Sequence, residues 1–294
     1  MTLTLTNSWT LPLDEVSGLS LRRIPARAET EILAIDDALF DVAGAAVRPG
    51  QLRVRPPLAN VRPAMAAHGI LAGRSDFEAI ASDSSGRVFI MCERAARILV
   101  FSADLATLVQ TITLDVKPSG PGSVPGWAGA ENSRGEGLLL MKNGHILVAK
   151  QTNPPGLIEF GPTVNEPSGF HPGNALAQDE LFPLPVGDIT FTPRAWWPIA
   201  SARGTPSIND LEVDELGRLY MVSSSARALG RLTINLTVPA HDAVFETWPL
   251  PVRMPRARKD LAEGLVFVPE IGWLVALDRS VRATNVYAIA GIPA

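Results

Sequence analysis

Residues Arg134–Pro154 read RGEGLLLMKNGHILVAKQTNP. Glu136 leads directly into an apolar run, Asn143-Gly144 interrupts it, and a second apolar run follows. Asn-Gly between two β-prone runs is a strong hairpin signal, because the favoured two-residue turn needs positive φ at both central positions. The leading carboxylate is the unexpected part. A strand entering a core does not begin with a charge unless that charge has a partner, water or a task.

The pattern recurs. FEAIASDSSGRVFIMCERAARILVF starts at Phe77, GEGLLLMKNGHILVAKQTNPPGLIEF at Gly135, NDLEVDELGRLYMVSSSARALGRL at Asn209 and AEGLVFVPEIGWLVALDRSVRATNVYAI at Ala262. Each opens with an acid (Glu78, Glu136, Asp210, Glu263), and a turn glycine follows (Gly86, Gly144, Gly217, Gly272). An apolar strand comes after every glycine, then a polar break, then a third apolar stretch. A fifth, weaker copy begins at EVSGLSL, with Ser17 at the acid position, Glu15 two residues earlier and EILAIDD (Glu31–Asp37) as its second strand. Repeated units of about four strands predict an all-β fold, a single β-propeller over residues 1–294. The copies predict five blades, or six if a degenerate blade lies within residues 161–207. The surplus falls in Pro/Gly-rich loops, residues 117–133 and 161–207, the latter with an outer strand at DITFTPRAWWPIA. TLTLT, Thr2–Thr6, alternates like an edge strand and is expected to close the ring on the blade that starts at Glu263.

The 294 residues are 46% hydrophobic and 19% charged, which suits a large core rather than a disordered chain. A net charge of -4 argues against nucleic acid as a partner. No apolar run is long enough for a transmembrane helix, so no membrane partner is expected. The first residues lack the basic and apolar regions of a secretion signal, and one cysteine, Cys92, excludes an intramolecular disulfide. Both features lead to an expected cytoplasmic location.

In a propeller the first strand of each blade lines the central channel. Glu78, Glu136, Asp210 and Glu263, with Glu15 as a fifth, are therefore expected at one mouth of that channel. Crowded carboxylates repel, so one takes a proton or a cation binds among them. Ca²⁺ or another hard divalent cation suits an all-oxygen set, with the carbonyl of Asn209 as a neutral ligand. The alternative is that inner-strand acids accept backbone N–H groups of the next blade and pin the ring together. A second register, near the ends of the second strands, offers Glu93, Arg94, Lys150, Asp278 and Arg279 as candidate substrate-binding residues at the rim.

The acid-Gly-Leu openings GEGL and AEGL, the EVSGL near the N-terminus and the segment LVAKQTNPPGLIEF resemble the SdiA-regulated family of bacterial propellers and the related esterase-like phytase domains. More distantly the chain is similar to the senescence-marker-protein and gluconolactonase group. That resemblance implies one divalent cation held by inner-strand Glu, Asn and Asp side chains, and lactone hydrolysis. Glu15 and Asp210 stand at matching positions, whereas Glu136 occupies the place of the Asn.

Other chemistry finds little support. No G-x-S-x-G elbow is present, and His68, His145, His171 and His241 form no H-E-x-x-H pair. Cys92 reads as a small buried hydrophobe, and Trp196-Trp197 as packing more readily than as a ring-stacking platform. The expected function is a metal-dependent hydrolase of an ester, lactone or phosphoester, with Glu136 or Glu78 as general base. Two alternatives remain: a non-catalytic propeller binding a small ligand or a protein on its loop face, and a metal-independent isomerase or cyclase.

Overall fold

The computed structural model describes residues 2–24, 29–56, 59–70, 73–129, 131–162, 166–199, 207–238, 241–255, 260–279 and 283–292. Its strands group into antiparallel meanders. After β1 (Thr4–Trp9), the first meander is β2 (Val16–Ile24), β3 (Glu29–Asp36), β4 (Asp41–Arg48) and β5 (Gln51–Val54), with β6 (Ala59–Asn60) added beside β4. A short helix, α1 (Arg62–Ala67), precedes the second, β7 (Phe77–Ser82), β8 (Val88–Cys92), β9 (Arg97–Phe101) and β10 (Leu108–Leu114). The third is β11 (Gly137–Leu140), β12 (Ile146–Lys150), β13 (Gly156–Gly161) and β14 (Ile189–Pro198). The fourth is β15 (Asp210–Val213), β16 (Leu219–Ser223), β17 (Ala228–Leu232) and β18 (Phe245–Pro249). The last combines β19 (Ala262–Val268), β20 (Gly272–Leu277) and β21 (Val286–Ala290) with β1, which pairs antiparallel to β21. β10 and β14 also pair in parallel, joining the second and third meanders at their outer edges.

The first strands touch in a cycle. β2 packs on β7, β7 on β11, β11 on β15, β15 on β19, and β19 returns to β2. Apolar side chains fill the gaps between neighbouring sheets. Phe89, Val100, Val148 and Phe160 sit between the second and third meanders, and Leu139, Leu157, Leu211 and Met221 between the third and fourth. Leu19, Ile32, Val266 and Leu274 do the same where the last sheet meets the first. Each such side chain contributes roughly 1.5–3 kcal/mol by leaving water. The result is an all-β, propeller-type ring.

Local chemistry explains the repeat. Gly86, Gly144, Gly217 and Gly272, the turn glycines of the pattern, all have positive φ. The glycine of the acid-Gly-Leu opening serves a different purpose. A Cβ on Gly137 would lie 2.7 Å from Leu211 Cγ and 2.8 Å from the Leu211 nitrogen. One on Gly264 would lie 2.8 Å from Leu19 Cγ. Glycine thus permits adjacent inner strands to approach closely.

The long segment between β13 and β14 is a strap across the far ends of the blades. Phe170 bridges to Leu236, Met141 bridges to Ala175, and Ser84 N–H donates to the Glu180 carbonyl (3.0 Å). Phe182 is fully buried and meets Phe89 edge-on at 5.4 Å. Leu176 and Gln178 of the strap border a cavity of about 40 Å³ with Ser20, Ile80, Leu138 and Leu211 of the inner strands. The strap therefore covers the end of the channel where the inner strands finish. Ring closure uses Asn285, whose amide accepts from Leu11 N–H (2.7 Å) and donates to the Leu11 carbonyl (3.1 Å).

Candidate functional site

The inner strands differ in how they present their acids. In β2, β7 and β19 the pairing register slips by one residue, leaving Ser17, Glu78 and Glu263 as the extra, bulged residues. A bulge re-aims a side chain out of the regular alternation. Glu136 stands one residue before β11, and its N–H donates to the Ala149 carbonyl (3.0 Å). Asp210 sits in regular register opposite Val222.

Four carboxyl groups converge with one that sequence analysis did not assign. Burial holds Glu78 well above the usual carboxyl range, reinforced by the charges of Glu136, Asp37, Glu93 and Glu263. Glu136, almost closed off from solvent, is likewise held well up by burial, then by Glu93, Glu263, Asp37 and Asp210. Burial pushes Glu263 up to about 8, with Asp278, Asp37 and Glu15 adding to it. Glu93 is pushed up to about 7 by burial, against the backbone N–H groups of Arg134 and Gly135. Asp37 follows β3 directly; burial raises it, while Arg74 beside it pulls the other way. The Glu78 side chain lies within reach of the Asp37 carboxyl and lowers it, while the charge of Asp37 raises Glu78. Glu15, at the rim, is raised by burial and by Asp37 and Asp36. The signal that could have found Asp37 was its place at the end of a second strand, the register that yielded Glu93 and Asp278.

Asp210 has another role. Oδ1 accepts Leu211 N–H (2.8 Å) and Oδ2 accepts Leu265 N–H (2.7 Å) from the next sheet. It pins β15 to β19, and losing such an acceptor in a buried setting costs roughly 1–3 kcal/mol per orphaned group. Glu93 combines both roles, since its carboxylate also accepts Arg134 N–H (2.6 Å).

The remaining rim candidates are dispersed. Lys150 is fully buried and its Nζ donates to the carbonyls of Thr152 and Pro154, 3.0 Å for the latter; burial lowers it to about 8. Arg279 pairs with Asp260 (2.9 Å) and donates to Thr284 and Tyr287 oxygens, bracing its own loop. Arg94 is exposed and lies 3.4 Å from Asp76. Asp278 donates its N–H to the Leu261 carbonyl and acts electrostatically on Glu263.

Two of the side chains expected to hold a divalent cation, Asp210 and Asn209, are engaged elsewhere. Among the described residues no group of three or more His, Cys, Asp or Glu side chains is placed to hold a metal ion. Both oxygens of Asp210 are engaged by backbone. Asn209 Oδ1 accepts from Ser224 N–H (2.9 Å) and Ser207 Oγ (2.8 Å), so the carbonyl expected to face a cation is already used.

Side chains elsewhere are structural. His145 Nδ1 meets Glu159 Oε1 at 2.5 Å inside the third sheet, and Glu159 also accepts Ser168 and Gly169 N–H groups. Cys92 is buried, with its thiol pushed up to about 11. Trp197 is fully buried and donates Nε1–H to the Thr237 carbonyl (3.0 Å). No helix among the described residues is long and apolar enough to cross a membrane.

No family model matches the chain, and no curated protein matches it. Among solved structures it is similar to the glutaminyl cyclase of Myxococcus xanthus (11% identity, 98% of this chain and 96% of that one, TM-score 0.49). It is also similar to a streptogramin B lyase (9%, 98% and 97%, 0.47) and to the aldose sugar dehydrogenase of Streptomyces coelicolor (11%, 98% and 97%, 0.46). At such identities nothing of what those proteins act on is carried over to this chain.

Proposed function

We propose that the chain is a five-bladed propeller whose open channel mouth is an acid–base site, and that it hydrolyses an ester, lactone or phosphoester there without a resident metal. Five blades are supported by the cycle of β2, β7, β11, β15 and β19 and by β14 serving as the outer strand of the third meander.

The observation that carries the chemistry is the crowding of Asp37 and Glu78 with the charges of Glu93, Glu136 and Glu263. Two neighbouring acids whose environments separate their proton affinities divide the labour of acid and base. Arg74 favours the charge on Asp37, whereas Glu136 disfavours it on Glu78. Asp37 takes a proton from an attacking water, whose oxygen bonds to the carbonyl carbon or phosphorus. Glu78 gives its proton to the leaving oxygen as that bond breaks. Glu136 acts through Glu78, its charge adding to burial in favouring the protonated form.

The test is a panel of lactones, aryl esters and phosphate esters, run in EDTA on wild type, Asp37→Asn and Glu78→Gln. Turnover of one class that vanishes in both variants is the expected result. Turnover that appears only on adding Ca²⁺ would replace this mechanism with the metal-dependent one. No turnover of any class would leave a binding propeller.

A further inference from the structure

The start of the fourth blade holds a buried donor. Asn209 is fully buried, and the two bonds to Oδ1 fix which end of its amide is oxygen. Its Nδ2 is buried with no hydrogen-bond partner. The two other such atoms among the described residues, Arg97 Nε and Arg194 Nε, belong to strands away from the inner ring. Asn209 directly precedes Asp210, whose carbonyl carbon a Cβ on Gly137 would approach to 3.1 Å and whose charge Glu136 feels.

The hydroxyls beside Asn209 form one hydrogen-bonded cluster. Ser207 Oγ accepts Ser225 N–H (3.2 Å), Ser225 Oγ accepts Ser207 N–H (2.7 Å) and Ser223 Oγ accepts Ala226 N–H (3.2 Å). Ser207 Oγ also lies 3.2 Å from Ser224 Oγ and 3.0 Å from Ser225 Oγ. Backbone N–H groups and neighbouring hydroxyls thus fill the acceptors of the cluster, while Asn209 Nδ2 is left to seek one. A buried donor without an acceptor is rarely tolerated without a reason. A cation would be repelled by this donor, and an electron-rich oxygen would satisfy it.

We propose that Asn209 Nδ2, with the Ser224 and Ser225 hydroxyls, forms an oxygen-binding subsite beside Glu136, taking the carbonyl or phosphoryl oxygen of the bound molecule. This rests on the acid–base reading of the mouth and adds how the substrate is oriented: the reacting centre's oxygen lies towards the fourth blade and the leaving oxygen towards Glu78. Charge developing on that oxygen during attack is stabilised by donors already in place.

The experiment follows the Asn209 side-chain amide by nuclear magnetic resonance in ¹⁵N-labelled protein, assigned by its disappearance in Asn209→Asp. γ-Butyrolactone and inorganic phosphate are the probes. The expected result is a saturable shift of that amide with one probe, weakened several-fold in Ser224→Ala/Ser225→Ala. With any substrate that turns over, Asn209→Leu is expected to lower kcat by about 10²–10³-fold, the loss typical of one removed oxyanion donor. An amide unmoved by both probes, or Asn209→Leu matching wild-type kcat, overturns the subsite while leaving hydrolysis intact. A responding amide in a protein that turns over nothing removes hydrolysis and keeps the subsite.

Discussion

Asp210 and Glu78 open the same repeat unit and do opposite things. Asp210 lies in regular register, and its short side chain reaches Leu211 and Leu265 N–H groups, fastening one sheet to the next. Glu78 is the extra residue of a bulge, one methylene longer, and it meets Asp37 and the field of Glu136. The same place in the repeat therefore produced one structural pin and one acid set among other acids. The difference teaches that a repeated acid is assigned by the hydrogen bonds it finds, not by its place in the repeat.

The largest expected effect separates the two acids by activity. Glu78→Gln should lower turnover by on the order of 10²–10⁴, the usual worth of a positioned general acid, with the melting temperature retained. A variant as active as wild type would remove Glu78 from the reaction.

Asp210→Ala should do the reverse, weakening the fold by roughly 2–5 kcal/mol through two orphaned buried N–H groups. Urea denaturation measures it, and an unchanged midpoint would mean that the blades do not depend on this pin. Gly137→Ala probes the same junction by crowding Leu211, with a loss of about 1–3 kcal/mol read in the same way.

A smaller effect concerns pH. A carboxyl raised in the folded state favours folding fully below its unfolded value, and that contribution is lost as pH rises through the folded value. For Glu263, raised to about 8, the window runs from its ordinary value of 4.5 up to about 8. Thermal stability should fall across that window, and Glu263→Gln should flatten the fall. Equal slopes in the two proteins would show that Glu263 does not experience the crowding. The smallest expected effect is none: Ca²⁺ and EDTA should leave the melting curve unmoved, and a marked rise with Ca²⁺ would restore the cation reading.

Much of the fold was legible because its determinants are local. Alternation, turn glycines and repeated acid-Gly-Leu openings mark strands and hairpins directly, as at Asn143-Gly144. The strand expected over Thr2–Thr6 runs over Thr4–Trp9 and pairs with β21. The candidate site was legible only in part. Glu78, Glu136 and Glu263 act on one another electrostatically, but Asp37 was overlooked because an acid after a second strand looks like an ordinary turn residue. Lys150 and Arg279 looked like rim residues, yet each is engaged by oxygens of nearby loops, a relation that spacing does not encode.

The sequence by itself determined strands, turns and the recurrence of acids at the starts of inner strands, since each depends on residues close along the chain. Tertiary structure alone decided which acids bond to backbone and which crowd one another. Those outcomes depend on bulges and on neighbours from other blades, brought within hydrogen-bond reach only when the ring closes.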